Sequence, residues 1–322
     1  MFTVQCVRLG SSVAHPLIGR YIFEMIMHSD DIEIEMFRQS IRPYELQDFQ
    51  EKIDNCCKWL EDECGLRIVG RIQKYKKYIK NIDRYRGVYS NESYYALQAF
   101  NEMNQILYIY EHLSDQNNTE FKNTLKQAIK GIFFRNDPNR NHEDNARNHL
   151  FELAIASDFV KSGYKVDLTQ RADIVVTNMD LLVECKRVKS LTALKERAQE
   201  AVDQINKDSS GFDGIVYIDI TELFDELHQI TVVDEQGSIS AMMGLSEDID
   251  IARMMDEELI KFLGPIVINE RGFFVDLVKD NEKVHSITLL VNFVGLHLSI
   301  VHEDAILGRA KYLIDDVDIE KI

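Results

Sequence analysis

The stretch Ala172-Asp173-Ile174-Val175-Val176-Thr177-Asn178-Met179-Asp180-Leu181-Leu182-Val183-Glu184-Cys185-Lys186-Arg187-Val188 decides how the chain is read. Ile174-Val175-Val176 and Leu181-Leu182-Val183 have the length and apolar character of buried strands on either side of turn-type residues. Asp173, Glu184 and Lys186 do not fit that explanation, because unpaired charge on a buried strand is costly. Glu184 and Lys186 are two apart and project from one face of their strand. With Asn178-Met179 as a two-residue loop, Thr177 faces Asp180 and Asp173 faces Glu184. Directly opposed side chains have Cβ atoms roughly 5 Å apart.

Two carboxylates that close repel each other in a partly buried site. A divalent cation removes the conflict, and oxygen ligands with open positions suit Mg²⁺ or Mn²⁺. Lys186 beside them adds a positive charge able to stabilise an attacking water. This is equipment for hydrolysing a phosphodiester.

In these residues the chain resembles the PD-(D/E)XK nuclease superfamily, the restriction-endonuclease-like fold, with Asp173 as the first acid and Glu184-Cys185-Lys186 as the acid-x-Lys. Ala172 stands where the family name has Pro. The resemblance implies that Asp173, Glu184 and the Cys185 backbone carbonyl hold the metal while Lys186 acts on the nucleophile. It also implies a Glu on the preceding helix, matched by Glu152, which carries a catalytic and metal-binding role. A Gln or basic residue on the following helix is matched by Gln204 and Arg197. His149 shares the polar stripe of the Glu152 helix. The resemblance covers roughly residues 142–220.

Around this segment, periodicity predicts helices over Pro16–His28, Pro43–Cys64, Leu66–Tyr85, Glu92–His112, Thr119–Phe134, His142–Ser162, Thr192–Lys207 and Asp248–Leu263. Strands are expected at Tyr164–Thr169, Ala172–Thr177, Leu181–Val188, Gly214–Ile220, Ile266–Ile268, Phe273–Val278 and Ile287–Ile300. The turn-rich Asn136–Asn141 marks a boundary. The expected architecture is α/β, a restriction-endonuclease-like mixed sheet flanked by helices and preceded by a mostly helical N-terminal domain. The domains are residues 1–138 and 139–322, the latter ending in an acidic extension.

The chain has 322 residues and a formal net charge of −17. The charge is uneven: residues 66–218 hold 23 basic and 20 acidic side chains, whereas 219–322 hold 8 and 22. Local positive potential decides phosphate binding, so the total does not exclude nucleic acid. Between Leu66 and Arg86 eight basic residues meet one acid, Asp83, with tyrosines interleaved. Arg71, Lys74, Lys77 and Arg84 are the phosphate-binding candidates here, with Arg197 farther along. The alternative is a solvated helix face with its tyrosines in the core.

The five cysteines lack paired C-x-x-C spacing and read as reduced residues. No signal peptide or membrane span is expected, which points to the cytoplasm. The expected partner is nucleic acid, DNA ahead of RNA by the family's base rate; a second copy or a partner subunit is also compatible. The layout is similar to that of bacterial and phage defence or DNA-processing effectors. A rival from another class is a catalytically silent member of the fold, acting as a binding or assembly subunit. The charge favours it; the intact Asp173, Glu184 and Lys186 oppose it.

Overall fold

A computed structural model describes the backbone of residues 6–7, 15–27, 32–41, 46–81, 91–116, 118–133, 144–168, 172–224, 272–279, 281–297, 311–312 and 320–321. Side chains are described for 49–81, 95–96, 98–116, 118–133, 144–168, 172–223, 272–279 and 281–290. In chain order the elements are β1 (Cys6–Val7), β2 (His15–Met27), β3 (Ile32–Ile41), α1 (Leu46–Asp62), α2 (Arg71–Lys80), α3 (Asn91–Leu113), α4 (Thr119–Ile129) and α5 (Asn145–Lys161). They continue with β4 (Val166–Asp167), β5 (Ile174–Val176), β6 (Leu181–Arg187), α6 (Leu191–Lys207) and β7 (Asp213–Asp219). A 3₁₀ turn (Thr221–Phe224), helix α7 (272–279), β8 (Val284–His297), β9 (Lys311–Tyr312) and β10 (Glu320–Lys321) follow among the described residues.

One mixed sheet carries the order β10-β3-β2-β8-β7-β6-β5-β4, and β1 pairs with β9 apart from it. β6, β7 and β8 run parallel, while the remaining neighbours are antiparallel. Parallel β6 and β7 need a crossover, and α6 provides it. Alternation along the strands assigns the faces. Ile174, Val176, Val183 and Cys185 share a hydrophobic cluster with α1 to α5. Val175, Leu182, Val216 and Ile218 share a second cluster with α6 and α7. The result is three layers, helices on both faces of an α/β sheet. The first cluster runs across residue 138, joining Phe49, Trp59 and Phe100 to the strands of the central hairpin.

Local chemistry explains the elements nearest the site. α5 begins at Asp144, whose side chain accepts the Arg147 amide, and α6 begins at Ser190, whose hydroxyl accepts the Ala193 amide. α6 lies so close to β7 that a Cβ on Gly214 would come 2.5 Å from the Ile205 Cγ2. Between β5 and β6 the pairs are Ile174 with Val183 and Val176 with Leu181, the register expected from the sequence. The connection differs: four residues, Thr177 to Asp180, form the turn, and the positive φ of 51° falls on Asp180. A two-residue loop would demand left-handed conformations at Asn178 and Met179; lengthening the turn symmetrically avoids this without slipping the register.

Several expectations need correction. Residues 15–27, read as the helix Pro16–His28, form β2, and 32–41 form β3, so the chain before residue 138 is not helical throughout. β2 lies between β3 and β8 and pairs antiparallel with both, so its backbone hydrogen bonds run to two neighbouring strands rather than along a helix. The expected strand Phe273–Val278 is α7, with Phe274 and Val278 buried four residues apart as a helix requires. α2 starts only at Arg71, after Gly70 with φ 62° interrupts the expected Leu66–Tyr85 helix. The predicted Asp248–Leu263 helix, the Ile266–Ile268 strand and Arg84 lie outside the described residues. No described helix is long and apolar enough to cross a membrane.

Candidate active site

β6 is hydrophobic on the face toward α5 and becomes charged on its other face as it leaves the sheet core. Leu182 is buried against the α6 layer, and Glu184 and Lys186 follow on that face. Lys186 Nζ lies 2.8 Å from Glu184 Oε2 and 3.8 Å from Asp173 Oδ2. The Glu184 and Lys186 side chains are 6% and 13% exposed and that of Asp173 is 26%, so these ion pairs are largely shielded from water.

Asp173 stands one residue before β5, opposite Glu184 in the register that the Ile174–Val183 pair sets. Its Oδ2 accepts the Cys185 backbone N–H at 2.7 Å, closing the hairpin where the strand ladder has ended. Burial raises the Asp173 carboxyl, Glu184 and Glu152 raise it further, and Lys186 and the Cys185 amide oppose them; the outcome is about 7. Burial acts to lower Lys186, but Asp173 and Glu184 outweigh it and hold the ammonium above its ordinary value. The site therefore has a surplus of negative charge that one ammonium does not cancel. The Cys185 thiol is buried and pushed up, a packed side chain rather than a nucleophile.

α5 brings two further groups. His149 Nδ1 is 2.9 Å from Glu152 Oε2, one turn apart on the helix. The hydrogen bond to Glu152 raises His149 despite burial, with Asp173 adding a smaller push. Glu152 in turn acts on Asp173 through its charge. Asp173, Glu184, Lys186, Glu152 and His149 thus form one electrostatic unit. Among the described residues, no three His, Cys, Asp or Glu side chains converge closely enough to hold one ion between them.

No protein family, curated protein or solved structure matches the chain.

The other two candidates, Gln204 and Arg197, lie on α6. Gln204 is exposed on the outer face of α6, in a groove shared with Glu196, Glu200, Asp203 and Lys207. Arg197 pairs with Glu200 at 2.7 Å on the same helix. Helical spacing put Gln204 and Arg197 on one flank, but α6 turns Leu194, Ala198, Ala201, Val202 and Ile205 toward the sheet instead.

Arg71 requires a firm correction. It is 2% exposed, donates to the Ala128 carbonyl and lies 3.6 Å from Glu102, so it is unable to meet a phosphate. Tyr75 is fully buried and its hydroxyl donates to Glu102 at 2.5 Å. Lys74 and Lys77 remain exposed, and Lys76 pairs with Asp54 at 2.7 Å. An amphipathic helix with basic residues on every side has to bury some of them, which a count of charges does not reveal.

Two buried ionic networks escaped the sequence reading. Arg147 donates to Glu102 at 2.6 Å, to Asp144, to the Tyr75 hydroxyl and to the Phe133 carbonyl, fixing the start of α5. Arg187 bonds Asp219 at 3.1 Å and Glu222, tying the end of β6 to β7. Only the Asp144 to Arg147 spacing, three residues along a helix, gives a signal in the sequence.

Proposed function

We propose that the chain is a divalent-metal-dependent nuclease that hydrolyses phosphodiester bonds, of the PD-(D/E)XK kind, with DNA favoured over RNA. The carrying observation is that Lys186 bridges Asp173 and Glu184 at one end of a buried hairpin, within a cluster of excess negative charge. The order α5, β4, β5, β6, α6, β7, with β6 and β7 parallel across the α6 crossover, supports the same reading.

The donor chemistry fits Mg²⁺ or Mn²⁺. These ions accept one or two carboxylates and fill their remaining positions with water and substrate phosphate. Asp173 and Glu184 would hold the ion, with the Cys185 carbonyl as a further oxygen donor and Glu152 adding negative charge from α5. The ion would supply Lewis acidity and lower the pKa of a nearby water. Asp173 anchors to the Cys185 amide, and this holds its carboxylate toward Glu184. Lys186 offers its ammonium to the charge that builds on the phosphate during attack. His149 orients Glu152 through their hydrogen bond.

The competing reading is a catalytically silent fold serving as a binding or assembly subunit, in which Lys186 is only a structural ion pair; the net charge of −17 favours it. Incubation with linear, circular and single-stranded DNA and with RNA, in Mg²⁺ or in EDTA, separates the two. Cleavage in Mg²⁺ that EDTA abolishes, and that Lys186→Ala removes, supports the nuclease. Intact substrates throughout would leave the silent subunit.

A further inference from the structure

Lys186 serves the nuclease reading in a second way, and the inference rests on that reading. Its ammonium lies between the two carboxylates that a cation joining them would use, against one oxygen of each, 2.8 Å from Glu184 Oε2 and 3.8 Å from Asp173 Oδ2. An ammonium and a divalent ion are both cations seeking the same anionic oxygens, and at such separations their mutual repulsion is strong in a largely dehydrated site. They do not share these oxygens without one giving way. We propose that Lys186 is a built-in competitor of the metal: it pairs with Asp173 and Glu184 before the ion arrives and is released toward the substrate phosphate as the ion binds.

Three observations support this. The Lys186 side chain is 13% exposed, so the ammonium is committed to the site rather than trailing in solvent. A lysine stem has four rotatable torsions, which would let the charge swing away from the carboxylates without moving β6. Asp173 is fixed independently through the Cys185 amide, so release of Lys186 leaves the carboxylate in place. The consequence is an order of events. The released ammonium no longer has these two carboxylate partners and is then suited to meet a phosphodiester oxygen. The chain should therefore bind a phosphodiester well only after the metal.

The decisive experiment measures Mn²⁺ binding to the full chain by titration calorimetry, with wild type, Lys186→Met, Lys186→Gln and Lys186→Arg. The expected result is tighter binding by about tenfold or more in the Met and Gln variants, which lack the competing charge, and wild-type affinity in the Arg variant. Equal or weaker binding in the folded Met and Gln variants would overturn the competition. Absence of Mn²⁺ binding in every protein, wild type included, would overturn the nuclease reading and this inference with it. A measurement on the wild type guards against poorly folded variants. In lysine-labelled protein, the Lys186 Cε signal, assigned by its loss in Lys186→Arg, should shift on addition of Mg²⁺ toward the position of a solvent-exposed lysine. A signal that stays put while Mg²⁺ binds would refute the release.

Discussion

Replacing Asp173 by Asn tests whether the acidic cluster is built for structure or for a ligand, because the two uses predict opposite signs. In the folded chain the Asp173 carboxyl is raised from 3.8 to about 7. A group whose folded value lies above its unfolded one supplies its stability below the unfolded value and loses it as pH rises through the folded value. Ionised Asp173 thus weakens the fold progressively between about pH 4 and pH 7. About three pH units at about 1.4 kcal/mol each set a ceiling of about 4 kcal/mol. Part of the strain belongs to Glu184, and the substitution also weakens one ion pair of Lys186, so a net gain of about 1–3 kcal/mol is expected for Asp173→Asn at pH 8. Asn keeps an oxygen for the Cys185 amide. Chemical denaturation in EDTA at pH 4.5, 6 and 8 measures this. The variant and wild type should nearly coincide at the lowest pH and separate in favour of the variant at the highest. Added Mg²⁺ should then stabilise wild type and leave the variant unmoved. A variant less stable than wild type at pH 8 would mean that Asp173 serves as a structural ion pair, and the reasoning fails.

The remaining expectations are simpler to check. Lys186→Ala should lower Mg²⁺-dependent cleavage by about two orders of magnitude in a gel assay, and undiminished activity would remove Lys186 from the chemistry. Reversing the charge of exposed Lys74 and Lys77 should reduce the salt slope of nucleic-acid binding by about one for each phosphate no longer neutralised, with an unchanged melting curve; an unchanged slope assigns α2 to structure alone. Arg71→Ala should instead cost about 2–4 kcal/mol in urea denaturation, since it strips a buried partner from Glu102 and the Ala128 carbonyl. Gly214→Ala should destabilise by about 1–3 kcal/mol, because its new methyl meets Ile205, and neutral behaviour would mean α6 shifts freely from β7.

Much of the site was legible because its signals are local. Alternation along Leu181 to Arg187 put Glu184 and Lys186 on one face, and the strand spacing set the register that aligns Asp173 with Glu184. Both follow from the two-residue period of a strand, which the residues themselves carry. Glu152 was legible for a similar reason, as part of a polar stripe on a capped helix. What the sequence left open depends on which elements meet. The run from His15 to Met27 suits either an amphipathic helix or a buried strand, and pairing with β3 and β8 selects the strand. Arg71 looks like a surface cation until α3 and α4 close over it with Glu102 and the Ala128 carbonyl. Gln204 and Arg197 occupy the expected flank of α6, while the face that α6 turns to the sheet is the apolar one of Leu194, Ala198, Ala201, Val202 and Ile205. Periodicity states which side chains share a face; only packing, where apolar area and buried charge find partners across distant segments, decides what that face meets.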